Sequence, residues 1–214
     1  MIFIDFDDVI FNTKKFKEDL RKIFFGFGIS DECYEKTYYA YDDKRLVKVY
    51  DPRAQIRRIA DLQTVNEEKI LSTLDSFMEH CSSYVFPDVE EFISSMKREN
   101  VYLLSYGDIE FQGEKINKSG IKDKISNVFI TDKLKSDIVS IILEKQQFES
   151  GEKIFFLDDR IEQIADVKRR NPGSITILIK RPEGRYQEMQ MEDCCNHQAH
   201  NLREATKTIN SYEK

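Results

Sequence analysis

The sequence has no apolar run of the length that a membrane-spanning helix needs. Its first residues lack the basic segment, apolar stretch and small-residue cleavage site of a secretory signal, so we expect a cytoplasmic protein. Basic and acidic residues are interspersed and the net charge is −6, whereas a nucleic-acid-binding surface is usually strongly basic. We therefore expect no membrane and no nucleic acid as partner, and no obligate protein partner is evident.

Zinc-type ligands are also scarce. The four cysteines include no C-x-x-C pair, and two of them, Cys194 and Cys195, are adjacent. This spacing argues against a zinc site or a disulfide framework and is typical of a reducing cytosol. The three histidines include His197 and His200, and we expect both to lie in a polar surface segment rather than to bind a metal.

The chain does contain apolar strands that alternate with helical segments. Strands that alternate with helices at this spacing predict a parallel sheet with helices on both faces, which is an α/β, Rossmann-like three-layer sandwich. A chain of 214 residues is long enough to bury the core of such a domain. The predicted strands are residues 2–5, 101–105, 127–131, 153–159 and 174–179, and the predicted helices between and after them are 88–99, 110–119, 136–147, 161–170 and 201–212.

The pattern is interrupted after the first strand by about seventy residues of helical character. We predict that residues 14–84 form a small helical domain, here called the cap, and that residues 1–13 and 85–214 form the α/β core. The predicted helix starts are Thr13 for a helix over 14–25, Asp51-Pro52 for a helix through Leu62, and a capping box of Thr64 and Glu67 for the next helix. Residues 31–48 are also expected to be helical.

Polar side chains follow the ends of several predicted strands. Because the carboxyl ends of parallel strands meet at one edge of an open sheet, we expect these side chains to converge on one crevice. They are Asp5 and Asp7 after the first strand, Ser105 and Gly107 after the second, Lys135 after the third, and Asp158 and Asp159 after the fourth.

This set of residues suits phosphoryl transfer. Asp5 and Asp159 can share a Mg²⁺ ion, which prefers carboxylate and phosphate oxygens and would offset the repulsion between the carboxylates. Asp5 is then available as a nucleophile, and Asp7 can protonate the leaving oxygen and later activate water. Ser105 and the amide next to Gly107 can donate hydrogen bonds to phosphoryl oxygens, and Lys135 adds positive charge where the transition state is negative.

Four segments in order carry a family resemblance. They are DFDDV (5–9), LLSYG (103–107), Lys135 within DKLKSD, and FLDD (156–159), each after the expected strand. With the inserted helical segment after the first of them, the chain resembles the haloacid dehalogenase superfamily with a C1-type helical cap. The resemblance covers residues 1–13 and about 85–205, and it implies a five-stranded parallel sheet in the order 3-2-1-4-5.

The resemblance also implies a role for each site residue. Asp5 would be the nucleophile and Asp7 the general acid and base. Ser105, Tyr106, Gly107 and Lys135 would bind the phosphate, and Mg²⁺ would be held by Asp5, Asp159, Asp158 and the backbone carbonyl of Asp7. The sequence departs from the common pattern at Asp8, where many members have glycine, and at Gln163, where a second acid often stands; Lys133 competes with Lys135 as the lysine of the third motif.

The function that we expect is a Mg²⁺-dependent phosphatase that acts on a small phosphorylated metabolite through an aspartyl-phosphate. The alternatives are a haloacid dehalogenase, which needs no acid at position 7, a phosphomutase with the same residues, and a catalytically silent binding or regulatory module. Substrate choice is expected in the cap, in the segments YEKTYYAYDDKR (34–45) and DPRAQIRR (51–58). Tyrosines there, such as Tyr38 and Tyr41, could stack on a base or sugar, and Arg53, Arg57 or Arg58 could hold a second anion.

Overall fold

Six parallel strands form the centre of the computed structural model, which describes residues 1–44, 48–146 and 152–212. The strand order is 3-2-1-4-5-6, so β1 lies in the middle, between β2 and β4. The strands are β1 (Ile2–Ile4), β2 (Val101–Tyr106), β3 (Asn127–Thr131), β4 (Phe155–Asp158), β5 (Ile175–Ile179) and β6 (His197–Ala199). The predicted α/β fold and the order of its first five strands are confirmed.

Helices cover both faces of this sheet. The helices of the described residues are α1 (Thr13–Gly26), α2 (Asp31–Thr37), α3 (Pro52–Ala60), α4 (Glu67–Met78), α5 (Val89–Ser95), α6 (Ile109–Lys118), α7 (Lys135–Lys145), α8 (Ile161–Arg170) and α9 (Leu202–Ser211). Successive side chains of a strand point to opposite faces, so Ile2 and Ile4 pack with α5, α6 and α9, whereas Phe3 packs with α7 and α8. In described residues, no helix combines the length and apolarity that crossing a membrane requires.

The sixth strand was not predicted. His197 lies in β6, where its Nε2 atom is 2.7 Å from the Tyr212 hydroxyl, and Cys195 just before the strand is buried against β5 and α8. The expectation of a polar surface segment at this position is therefore wrong. The strand has three residues, His-Gln-Ala, and pairs on one side only, so it carries no apolar run from which it could be predicted.

Two of the predicted helix starts in the cap are wrong by one or two residues. The side chain of Asn12, not Thr13, caps α1 by accepting a hydrogen bond from the Lys15 amide at 3.0 Å. Asn66 caps α4 in the same way, so Thr64 and Glu67 do not form the predicted capping box. Serine, threonine, asparagine and aspartate all cap helices well, and local sequence alone does not choose between neighbours.

The other cap helices follow the prediction more closely. Asp51 caps α3 with Pro52 as the first helical residue, as predicted, although the helix ends at Ala60 instead of Leu62. The helical region predicted over 31–48 is shorter, since α2 ends at Thr37, and residues 45–47 of it lie outside the described residues. Residue 147, the predicted end of α7, lies outside them as well.

Aromatic side chains join the cap helices to the core. The ring of Phe16 on α1 lies 5.3 Å from the Phe11 ring and 6.2 Å from the Phe111 ring on α6, measured between centroids. Tyr50, just before α3, meets Phe111 edge-on at 5.9 Å. These contacts belong to one hydrophobic cluster that runs from the cap helices to the sheet. They therefore hold the cap helices against the end of β1.

A buried ion pair ties together the segments around the cap connections. Both nitrogens at the end of the Arg181 guanidinium lie 2.8 Å from the two carboxylate oxygens of Asp88. Arg181 also donates to the Val9 carbonyl, and Asp88 accepts from the Leu202 amide at 2.7 Å. The pair thus joins the loop after β1, the start of α5, the end of β5 and the start of α9.

We expect Asp88→Asn to lower the free energy of unfolding by about 3 kcal/mol or more, because it leaves the Arg181 charge buried without a counter-ion. Urea unfolding of the variant and the wild type measures this difference. Glu91→Gln is the control, since it removes one partner of the exposed Glu91–Arg203 ion pair and should change the free energy of unfolding far less. Equal small losses in the two variants would contradict this account of the ion pair.

Candidate active site

A cavity of about 450 Å³ opens at the carboxyl ends of the central strands. Asp5, Asp7 and Lys135 line it from the core, and cap residues such as Lys17 and Tyr50 line it from the opposite side. This is the edge of the sheet where ligands bind in open α/β folds. The structure therefore brings the predicted nucleophile, acid and lysine together in one crevice.

Lys135 lies between two carboxylates. Its Nζ atom is 2.6 Å from Asp5 Oδ1 and 2.6 Å from Asp158 Oδ2, and all three side chains are buried. The lysine is the first residue of α7, which follows the end of β3 and places the Nζ atom between β1 and β4. Lys133 is exposed and does not line the cavity, so the geometry selects Lys135 as the lysine of the site.

Burial and neighbouring charges both shift the pKa values of Asp5 and Lys135. Burial raises the pKa of Asp5 to about 7 in the metal-free protein, and Lys135 opposes the rise while Asp158 and Asp7 add to it. Burial alone would lower the pKa of Lys135, but the two adjacent carboxylates outweigh it and raise the pKa well above its usual range. Lys135 is therefore a permanent positive charge beside the predicted nucleophile.

Asp7 is held by three side chains. Its Oδ1 atom accepts hydrogen bonds from Lys115 Nζ at 2.6 Å and Thr13 Oγ1 at 2.5 Å, and its Oδ2 atom accepts from Gln112 Nε2 at 2.7 Å. Burial would raise the pKa of Asp7, but the positive charge of Lys115, with the more distant Arg185, holds the pKa well below its usual range. Asp7 is thus a fixed and ionised carboxylate that faces the cavity.

The carboxyl end of β2 is more enclosed than predicted. Ser105 is fully buried and does not line the cavity; its Oγ atom accepts a hydrogen bond from Gln112 Nε2 at 2.8 Å. Tyr106 and Gly107 do line the cavity. A Cβ atom on Gly107 would lie 2.8 Å from Cγ of Gln112, so the close approach of this side chain requires glycine. Gln112 thus connects the predicted phosphate-binding segment to Asp7.

Three buried carboxylates are close enough to hold one metal ion. Asp5, Asp158 and Asp159 each offer an oxygen within 4.8 Å of the others. Within the described part of the chain, both carboxylate oxygens of Asp159 are buried without a hydrogen-bond partner, and burial together with Asp5 raises the pKa of Asp159 well above its usual range. A buried carboxylate without donors is strongly disfavoured, and a hard cation such as Mg²⁺ would satisfy it.

The three carboxylates are not equally free. Asp158 accepts from Lys135 through Oδ2 and from the Arg160 amide through Oδ1 at 2.9 Å, so both of its oxygens are engaged. Asp5 and Asp159 therefore fit the predicted Mg²⁺ ligands better than Asp158 does. Gln163 stands at the position where members of the resembled superfamily often have a second acid, and its Oε1 atom is also buried without a hydrogen-bond partner among the described residues.

Asp8 has its own counter-charge. The residue adopts a left-handed backbone conformation with φ of 54°, which explains why glycine is an alternative at this position. Its carboxylate accepts hydrogen bonds from the Arg185 guanidinium and from the Lys14 amide, and Arg185 Nη2 lies 4.0 Å from Asp159 Oδ2. Arg185 thus links the loop after β5 to the carboxylates at the end of β1 and β4.

Sequence reasoning missed Gln112, Lys115 and Arg185. The first two lie three residues apart on α6, the helix that follows β2, so they share one helix face. Two polar residues three positions apart, on the helix that follows the predicted second strand, were the sequence signal from which Gln112 and Lys115 could have been found. Arg185 follows Gly184 in an irregular segment, and no local pattern indicates that it reaches Asp8.

In the two cap segments where substrate choice was predicted, Tyr39 lines the cavity, whereas the tyrosines and arginines that were named singly do not. Arg53 forms ion pairs with Glu114 and Asp75, and Arg58 donates to the carbonyls of Thr37 and Tyr38. Arg57 and Tyr41 are exposed, and the Tyr38 ring stacks on Tyr50 with centroids 4.2 Å apart. The cap residues that line the cavity instead are Lys17, Tyr39, Lys48, Val49 and Tyr50.

Solved structures share this architecture, although no family model and no curated protein matches the sequence. A protein from Burkholderia xenovorans, provisionally named a haloacid dehalogenase-like hydrolase, superimposes with a TM-score of 0.76 at 18% identity over 100% of this chain and 97% of its own. The chain has the fold of the haloacid dehalogenase-like hydrolases.

Two other structures with this haloacid dehalogenase fold differ in their described chemistry. YfnB from Bacillus subtilis, provisionally named a hydrolase of this type and bound to magnesium, has a TM-score of 0.64 at 13% identity over 98% of this chain and 97% of its own. The L-2-haloacid dehalogenase from Xanthobacter autotrophicus has a TM-score of 0.61 at 12% identity over 98% and 97%. Structural similarity at identities this low establishes the fold alone, so the reaction has to be argued from the site.

We expect Asp159→Ala to weaken Mg²⁺ binding by at least about tenfold, because it removes both orphaned oxygens of the candidate metal site. Ser105→Ala should change Mg²⁺ affinity far less, since the Ser105 hydroxyl bonds to Gln112 and not to the carboxylates. Titration calorimetry with MgCl₂ on both variants and the wild type measures the affinities. The same loss in both variants would show that Asp159 is not a ligand.

Proposed function

We propose that this protein is a Mg²⁺-dependent phosphatase that acts in the cytoplasm on a small phosphorylated metabolite, with Asp5 as nucleophile. The observation that carries the proposal is the arrangement of Asp5 and Asp7 on one cavity, with Lys135 2.6 Å from Asp5 and Lys115 2.6 Å from Asp7. Two carboxylates with separate cations suit a nucleophile and a proton-transfer group. Neither a nucleic acid, nor a membrane, nor an obligate protein partner is part of the proposal.

In the first step a carboxylate oxygen of Asp5 attacks the phosphorus atom. A bond forms between that oxygen and phosphorus, and the bond from phosphorus to the leaving oxygen breaks with its electron pair on that oxygen. The substrate enters as the phosphate monoanion, and its proton passes to the ionised Asp7 and from Asp7 to the leaving oxygen. The product is an aspartyl-phosphate on Asp5. Lys135 keeps the Asp5 carboxylate in place and compensates negative charge as it moves to the phosphoryl oxygens.

In the second step a water molecule attacks the aspartyl-phosphate. Asp7 takes a proton from this water, the bond between phosphorus and the Asp5 oxygen breaks, and inorganic phosphate leaves. Lys115 and Thr13 hold Asp7 in the ionised form, which is the form that accepts a proton. Mg²⁺, when bound by Asp5, Asp159 and the backbone carbonyl of Asp7, would offset the negative charge of the phosphoryl group, with Asp158 beside them orienting Lys135.

The competing reactions make different demands on Asp7. A haloacid dehalogenase needs the carboxylate nucleophile but no proton-transfer group two residues later, and here three side chains hold such a group at the cavity. A phosphomutase would use the same residues and differ in the acceptor of the phosphoryl group. A silent binding module would not require the pairing of Lys135 with Asp5, so the intact set favours an enzyme.

We expect the protein to release phosphate from p-nitrophenyl phosphate in the presence of MgCl₂, and Asp5→Asn to reduce kcat by at least about a thousandfold, or about 4 kcal/mol. The amide is a poor nucleophile and a poor Mg²⁺ ligand. Asp61→Asn at the exposed end of α3 is the control for the same chemical change away from the cavity.

Two outcomes would contradict the proposal. Near-wild-type phosphate release by Asp5→Asn would remove Asp5 as nucleophile. Release of chloride from 2-chloropropionate by the wild type, without phosphate release from the ester, would assign the site to the dehalogenase reaction.

A further inference from the structure

Lys17 is a cation of the cavity that has no carboxylate partner. It lies in the second turn of α1 and lines the cavity, with Nζ 5.4 Å from the ring centroid of Tyr38 and 5.9 Å from that of Tyr50. Among the described residues, no ion pair or hydrogen bond reaches its ammonium group. A partly buried ammonium that lacks an anionic partner is costly, and a bound anion would relieve that cost.

The other buried or half-buried cations of the cavity are already neutralised. Lys115 pairs with Asp7, and Lys135 pairs with Asp5 and Asp158. The two arginines that line the cavity also pair with carboxylates, Arg160 with Glu162 and Arg185 with Asp8. The charge that remains available for a ligand at the cap side is therefore that of Lys17, with the exposed Lys48 near Tyr39 at the rim.

Lys17 lies on the cap side of the cavity. Its aromatic neighbours Tyr38 and Tyr50 belong to the cap, whereas Asp5 and Lys135 lie at the sheet. In the proposed reaction Asp7 gives its proton to the leaving oxygen, so the leaving group extends from Asp7 towards the cap. Burial, reinforced by Arg185 and opposed by the more distant charges of Asp7 and Asp8, lowers the pKa of Lys17 to about 8, which agrees with a lysine that forms no ion pair.

We propose that the cap side of the cavity binds a carboxylate on the leaving group of the substrate, with Lys17 as its counter-charge. The substrate class is then a phosphate monoester that carries a carboxylate. One unpaired lysine balances one negative charge, and the tyrosine rings and Val49 beside it offer apolar surface to the carbon skeleton between the two anionic groups. This inference rests on the proposed phosphatase function and replaces the arginines that the sequence suggested for a second anion.

The test compares two substrates that differ in one charge. We expect the wild type to have a higher kcat/KM for 3- or 4-carboxyphenyl phosphate than for the matching carbamoylphenyl phosphate. Lys17→Met should lower this acid-to-amide ratio by at least about tenfold, and Lys17→Arg should keep most of it. Lys22→Met is the matched control on the same helix, because Lys22 is exposed and pairs with Asp19. A ratio measured within one variant does not depend on its folded fraction.

An unchanged ratio in Lys17→Met, or no wild-type preference for the acids, would overturn the inference and leave Lys17 as a packing partner of the tyrosines. Calorimetry with the wild type, MgCl₂ and two non-hydrolysable probes, 4-carboxybenzylphosphonate and 4-carbamoylbenzylphosphonate, separates this failure from that of the proposed function. Preferential binding of the carboxylate probe without turnover of any ester would retain the carboxylate site and refute the phosphatase. Turnover of an ester without preferential binding of the carboxylate probe would retain the phosphatase and refute the carboxylate site. The absence of both turnover and preferential binding would overturn both proposals.

Discussion

The pairing of buried carboxylates with separate cations is the constraint on which this site depends. The sequence places Asp5, Asp7 and Asp8 within four positions, and like charges so close together would repel in a buried site. In the structure each faces a different cation, Lys135, Lys115 or Arg185 respectively. A strand end followed by a turn makes this possible, because it points successive side chains in different directions. The carboxylates still repel one another, since Asp7 adds to the rise of the Asp5 pKa, and the ion pairs offset this repulsion.

The three cations come from three different parts of the chain. Lys115 is on α6, Lys135 begins α7, and Arg185 lies in the segment between β5 and β6. None of these ion pairs forms unless the sheet is assembled in its observed order, with β1 between β2 and β4. The site is therefore a product of the complete sheet, and a buried charge left without its partner would destabilise the fold as well as the chemistry.

The sequence predicted the parts of this arrangement that follow strand ends. Apolar runs mark the strands, and the carboxyl ends of parallel strands meet at one edge, so Asp5, Asp7, Lys135 and Asp159 were placed together correctly. Strand β6 was not predicted because its three residues show no apolar alternation, and the strand is defined by its pairing with β5. Burial of Ser105 behind Gln112 also had no local signal, because it depends on the conformation of a helical side chain.

The cap shows most clearly where prediction from sequence stops. In the tyrosine-rich segment, Tyr39 lines the cavity while its neighbour Tyr38 stacks on Tyr50. Without a regular helix after Thr37, no periodicity assigns adjacent residues to different faces. Lys17 does lie on a regular helix, and the role that we propose for it depends on the lack of an ion pair to its ammonium group among the described residues, which is a property of the packed structure.

The central claim is that Asp5 becomes covalently phosphorylated during turnover. The most direct measurement is acid quenching of a single turnover of p-nitrophenyl phosphate with MgCl₂, followed by mass spectrometry of the N-terminal peptide. The account predicts one added phosphoryl group on Asp5, which forms and decays at rates compatible with phosphate release. Turnover with no phosphorylated peptide, or with the phosphoryl group on another residue, would contradict it.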